Sequence, residues 1–216
     1  MISEKDKKLI EGTLAKKDDA REKVLKISRT IIRKCSLTIV EIHRGEFKKA
    51  MNNLKIIERD MKQMEKNFSS NQELEYGGNA LTAYQEYAEA MLLYYLITKE
   101  KLLSIKESKV EPIPYLLGLL DFVGELRRIC LVYLIRGDLD KATEVFNLME
   151  RIYEDAFSIN HTSIIPGFRR KLDNTRRIVE STRGDIATDT RRISLERTIR
   201  EFEEGLPNKP KKSTKT

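Results

Sequence analysis

Residues 81–98 read LTAYQEYAEAMLLYYLIT and residues 113–126 read IPYLLGLLDFVGEL. Both are apolar on nearly every side of a helix, so both must be central, with the remaining elements packed around them. The first stretch belongs to a helical block from about Asn79 to Ile105, and the second to a block that begins after Pro112 and Pro114 and runs to Arg136.

Punctuation divides the rest of the chain into further helices. From Lys5 to Arg44 there is no proline, and Val24, Ile27, Ile31, Cys35, Thr38 and Ile42 recur every three or four residues as one apolar stripe. Gly45 ends that helix, and a second follows from Glu46 to Phe68 with Phe47, Met51, Leu54, Ile57, Met61 and Met64 on one face. A loop follows at Ser69, Ser70, Asn71, Gly77 and Gly78. Gly137 and Asp138 form a stop and a new N-cap for a helix to Ile159. Pro166 suits the first turn of a sixth helix to Arg183, Gly184 closes it, and a seventh runs from Thr188 to Glu204. The expectation is an all-α, single seven-helix bundle. RGEFKKA at 44–50 and RGDLDKA at 136–142 echo one another, but they stand too far apart for a tandem helical repeat, so they read as two similar caps.

Composition agrees. The 216 residues include 10 Gly and 5 Pro, which leaves few places for hairpin turns, and 40% hydrophobic residues, which excludes a disordered chain. Cys35 and Cys130 alone make no disulfide scaffold and fit a reducing compartment. The opening MISEKDKKLIEG has charges where a signal peptide needs an apolar run, and no run of about 18 apolar residues exists to span a bilayer. The expected location is cytoplasmic, with no membrane association. Of the net charge of +7, four units come from the lysines of the last ten residues, PNKPKKSTKT. Residues 1–206 thus read as the helical domain and 207–216 as a basic disordered tail.

The two central stretches hold acids in unexpected places. Glu86 and Glu89 are the only charges between 81 and 98, three apart on one helical face that continues through Ala90, Leu93, Leu96 and Ile97. Asp121 and Glu125 are the only charges between 113 and 126, four apart on one face. Buried carboxylates packed together cannot all stay ionised without a cation. Four carboxylates on two consecutive core helices suit a divalent metal, and oxygen donors alone suit Mg²⁺ or Mn²⁺. His43 and His161 lie elsewhere in the sequence, which disfavours zinc, and the absence of Glu-x-x-His excludes a ferritin-like di-iron centre. The competing reading is neutralisation by Arg127, Arg128 or an arginine from another helix.

A hard metal in a helical cleft commonly handles phosphate, by stabilising both the attacking and the leaving oxygen. A nuclease meets that description, and so does an all-α nucleotide pyrophosphohydrolase with a Glu-x-x-Glu motif like Glu86 to Glu89. Those enzymes follow with Glu-x-x-Asp, whereas Asp121 and Glu125 stand in the opposite order and one residue wider.

YLLGLLDFVGELRR at 115–128, followed by RGDLDKATEVFNLMERIYEDAF at 136–157, resembles the central segment of the translin family, and within it the Trax branch. SRTIIRKCSLTIVEIHR is similar to the end of that family's long first helix, YQEYAEAM to its acidic helix, and FRRKLDNTRRIVESTRGDI to its late basic helix. The chain lacks the long insertion that eukaryotic Trax carries before the YLLG helix, and so resembles a prokaryotic or archaeal, self-assembling version. The resemblance implies a translin-type bundle that assembles into closed shells around nucleic acid. It also implies that Glu86, Glu89, Asp121 and Glu125 are the catalytic and metal-binding acids of a Mg²⁺-dependent endoribonuclease. Asp121 and Glu86 are expected as direct ligands, with Glu89 and Glu125 as a further ligand and a water-orienting base.

The expected substrate is single-stranded RNA, with single-stranded DNA as a further candidate ligand, inside a homo-oligomer, the octamer being the expected size. The competing class is a non-catalytic RNA- or DNA-binding translin-like protein. Between Phe168 and Arg200 there are ten Lys+Arg against five Asp+Glu, and Arg29, Arg33, Lys34 and Arg44 punctuate the first helix. Arg29, Arg33, Lys34, Arg44, Arg169, Arg170, Arg176 and Arg177 are the candidate phosphate contacts, although charge runs on helices are commonly just solvated faces.

Overall fold

Residues 81–98 lie in α3 (Gly78–Lys99), which is buried without a break from Tyr87 to Tyr94, and residues 113–126 lie in α5 (Pro112–Ile135). The computed structural model describes residues 2–68 and 78–205, and among these there is no strand. Proline opens α5, where the missing N–H would have no helical partner anyway. The two apolar helices are the spine of the bundle. α3 packs against α1 (Glu4–His43), α2 (Phe47–Glu65) and α5, while α5 also packs against α6 (Leu139–Ser158) and α7 (Phe168–Gly205).

The outer helices bury stripes and leave their other faces wet. α1 buries Val24, Ile31, Cys35, Thr38 and Ile42, the stripe its periodicity predicts, whereas residues 2–19 of the chain are all exposed. α2 buries Ala50, Leu54, Ile57, Met61 and Met64; Phe47, assigned to that face from the sequence, is exposed. The long α7 buries Phe168, Thr175, Val179 and Thr182, then runs on exposed at almost every position beyond residue 189.

The echo at Arg44 and Arg136 is a shared way of stopping. Gly45 and Gly137 have φ of +75° and +74°, a conformation open to glycine and strained for other residues. In both turns the residue after the glycine donates its N–H back to a carbonyl five residues earlier, Glu46 to Glu41 and Asp138 to Tyr133, each at 2.9 Å. Asp138 then caps α6 by accepting from the Lys141 N–H at 3.1 Å.

Two boundaries differ from the sequence expectation. The third helix stops at Lys99 rather than Ile105, with Glu100 at φ 51°. Ser104 and Glu107 then form a reciprocal capping box that starts the one-turn α4 (Ile105–Ser108). Gly184 does not close a helix: residues 168–205 form one helix of 38 residues. On either side of that glycine, Thr182 and Asp185 both bind Arg127 of α5, at 2.7 and 2.9 Å, which holds α7 helical through the weak position. The described residues thus hold seven α-helices, because α4 adds one and this fusion removes one. The loop residues 69–77 and the tail 207–216 lie outside the described residues.

Candidate metal centre

The acids meet because α3 and α5 come unusually close. A Cβ built on Gly118 would lie 2.5 Å from the Gln85 carbonyl oxygen and 2.8 Å from the Ala88 Cβ, so only glycine fits between the helices here. Asp121, one turn beyond Gly118, therefore faces the turn of α3 that carries Gln85, Glu86 and Glu89. Glu86, Glu89 and Asp121 each present a carboxylate oxygen, and the three oxygens lie within 4.8 Å of one another.

Asp121 is held from two sides. Gln85, itself buried, donates through Nε2 to Asp121 Oδ2 at 2.5 Å. Lys171, in the first turn of α7, donates through Nζ to Asp121 Oδ1 at 2.5 Å and Oδ2 at 2.6 Å. Glu125 does not join the three. It pairs instead with Nε2 of His43, the last residue of α1. His43 is thus beside the acids in space, a correction to its placement from sequence, while His161 is exposed at φ 62° between α6 and α7.

The electrostatics follow from burial and crowding. Glu89 is only 9% exposed, and its carboxyl is pushed up to about 9, first by burial and then by the charges of Glu86, Asp121 and Glu125. Glu86 is raised as well, by burial and then by Asp121, with Lys171 opposing. The thiol of Cys35, on the facing side of α1, is raised by burial and further by Glu86 and Glu89. Three carboxyl groups thus crowd around one ammonium. That donor set, all oxygen, could hold a hard metal ion.

No arginine fills the gap. Arg127 turns to Asp185 and Thr182, and Arg128 is exposed; the neutralising residue is Lys171. The signal that could have found it is local. FRRK opens α7 with three cations and no acid in the first turn, where the helix dipole favours the opposite charge, so these cations answer to something outside their own helix. His43 had no such signal, since its position depends on how α1, packed on α3, brings its last residue to Glu125 of α5.

Arg29, Arg33, Arg44, Arg169, Arg170, Arg176 and Arg177 are exposed. Lys34 is half-buried and pairs with Asp60 of α2 at 2.6 Å, and Arg176 pairs with Glu180 along its own helix at 2.8 Å. Among the described residues no helix is long and apolar enough to cross a membrane.

Comparison with known proteins identifies the family. The chain is 34% identical over 198 residues to an uncharacterised protein of Methanocaldococcus jannaschii, covering 89% of this chain and 86% of that one. It is 24% identical over 195 residues to translin-associated protein X of Rattus norvegicus, covering 72% and 67%. Among solved structures, AfC3PO in complex with duplex RNA superposes with a TM-score of 0.73 at 29% identity, covering 85% of this chain and 95% of that chain. Apo-NeC3PO shares the fold, with a TM-score of 0.74 at 24% identity over 88% and 98% of the two chains. The translin family profile matches residues 19–181, which take in every acid of the cluster and its lysine, and the chain belongs to the translin family.

Proposed function

We propose that this protein is a divalent-metal-dependent endoribonuclease that cuts single-stranded RNA within a homo-oligomeric shell of its own copies. The observation that carries the proposal is the convergence of Glu86, Glu89 and Asp121 from two core helices, with carboxylate oxygens within 4.8 Å of one another. Ion-pairing needs do not account for three acids around one lysine. Membership of the translin family and likeness to a C3PO solved with duplex RNA support a nucleic acid as the substrate.

Glu86, Glu89 and Asp121 would hold Mg²⁺ or Mn²⁺, which when bound supplies charge stabilisation for displacement at phosphorus and acidifies a water. The chain's own groups do the rest. Gln85 fixes the orientation of the Asp121 carboxylate, and in the metal-free centre Lys171 neutralises it. Glu125, one turn from Asp121 and held by His43, would orient water. The exposed Arg29, Arg33, Arg44, Arg169, Arg170, Arg176 and Arg177 would neutralise phosphates without reading bases, with Lys34 joining them at the cost of its bond to Asp60.

Self-association is supported by apolar side chains left bare on the ends of the two longest helices: Leu9, Ile10 and Leu14 on α1, and Leu195, Ile199 and Phe202 on α7. The assembly we propose is an octamer, in the cytoplasm.

The test is cleavage of end-labelled single-stranded RNA, with duplex RNA and single-stranded DNA in parallel, in Mg²⁺ and in chelator. Metal-dependent internal cuts that vanish in Glu86→Gln are expected. Tight RNA binding with no metal-stimulated cleavage would overturn the enzymatic reading in favour of a binding protein. Light scattering that returned a monomer at micromolar concentration would overturn the assembly.

A further inference from the structure

We propose that Lys171 is a resident counter-ion of the acid cluster that competes with the metal for Asp121, so that cation entry and release of the lysine are coupled. The inference rests on the metal-site reading above.

Asp121 has about four lone-pair positions on its two oxygens. Three are already in use: Lys171 takes one on Oδ1 and one on Oδ2, and Gln85 takes a second on Oδ2. A cation drawing on this carboxylate as well as on Glu86 and Glu89 meets an ammonium bonded to both Asp121 oxygens. Two positive charges cannot share that carboxylate without strong repulsion in a half-buried site.

The backbone of Lys171 is fixed while its side chain is not. Phe168, one turn earlier, is 3% exposed and packs with Leu117 and Leu120 of α5 and Ala156 of α6. Thr175, one turn later, donates its hydroxyl to the Lys171 carbonyl at 2.9 Å and reaches the Leu120 carbonyl at 3.4 Å. The lysine side chain keeps 25% of its surface in solvent, and its four-carbon stem lets the ammonium swing outward without moving α7. Displaced, it remains beside the centre as a free cation facing solvent, where a phosphodiester would approach.

Its helix gives no reason for a lysine here. A cation in the first turn opposes the α7 dipole, and Arg169 and Arg170 add two more. The favourable term is therefore the bond to Asp121.

The experiment is calorimetric titration of Mg²⁺ and Mn²⁺ into wild type, Lys171→Gln and Lys171→Arg, with thermal melts of each in chelator and at saturating metal. Circular dichroism checks that each variant is folded. Lys171→Gln should bind metal roughly tenfold tighter than wild type, and Lys171→Arg, which keeps the charge, should not. The melting deficit of Lys171→Gln in chelator should close at saturating metal. Unchanged or weaker metal binding in Lys171→Gln, or a deficit of the same size with and without metal, would reduce Lys171 to a tie between α5 and α7 and overturn the proposal. Absence of metal binding in wild type would instead overturn the metal-site reading itself.

Discussion

Gly118 and Gln85 stand so close that the glycine's missing Cβ would come within 2.5 Å of the glutamine's carbonyl oxygen. That approach places Asp121 against Glu86 and Glu89, so packing and the candidate chemistry depend on the same residue. Gly118→Ala should destabilise the protein by about 1–3 kcal/mol, because backbone cannot yield as a flexible side chain would. It should also weaken metal binding by parting Gln85 from Asp121. Gly124→Ala on the same helix meets nothing within 4 Å and serves as the control. Denaturant unfolding of the two variants is the measurement, and equal stabilities would show that the helices can part freely.

Gly184 has the opposite character. It lies exposed inside α7, and a Cβ there would touch nothing within 4 Å. Gly184→Ala should therefore stabilise the protein by about 0.5–1 kcal/mol, by restricting the unfolded chain. A loss of stability in the same unfolding assay would mean that the bend freedom of glycine is in use at this point.

These two glycines mark what the sequence made legible. α3 and α5 stood out because long apolar runs with two charges each have no place but the core, and the same scarcity exposed Glu86, Glu89, Asp121 and Glu125. Gly45 and Gly137 were readable because each closes an apolar stripe, although only Asp138, and not Glu46, caps the helix that follows. Gly184 misled because the bonds from Arg127 to Thr182 and Asp185 outweigh a local weakness of about 1 kcal/mol. The Ser104 to Glu107 capping box was hidden by the charged stretch around it. His43 could be assigned to the acids only once the end of α1 was seen beside Glu125 of α5, whereas Lys171 carried a local signal in the cations that open α7 against its dipole.

Burial of Glu89 has a consequence for pH. Its carboxyl rises from an ordinary value of 4.5 to about 9 on folding, so between those limits the native state binds more protons than the unfolded chain. Stability of the metal-free protein should then fall as pH rises through that window. Melting temperatures in chelator at about pH 5, 6, 7 and 8 should decline for wild type and decline less for Glu89→Gln. The slope should not vanish, because Glu86 is raised in the same direction. Parallel slopes for the two proteins would show that Glu89 is ionised throughout.

Asp121→Asn separates the catalytic and structural meanings of the central acid. The amide keeps the shape of the carboxylate and one oxygen to accept from Gln85 or Lys171, but it removes the charge that the ammonium meets. Both partners retain some exposure, 25% for Lys171 and 28% for Asp121, so the loss lies between that of a surface pair and that of a buried one, about 1–2 kcal/mol. Relief of crowding on Glu86 and Glu89, whose carboxyls Asp121 helps to raise, opposes part of that loss. In chelator the variant should therefore melt only slightly below wild type. Saturating Mg²⁺ should raise the wild-type melting temperature by linkage and leave the variant nearly unmoved. RNA binding should persist while cleavage falls by roughly a hundredfold or more, the scale expected when a group stabilising transition-state charge is lost. A variant that loses about 3–5 kcal/mol yet cuts RNA at the wild-type rate would make Asp121 a buried ion-pair partner of Lys171 and nothing more.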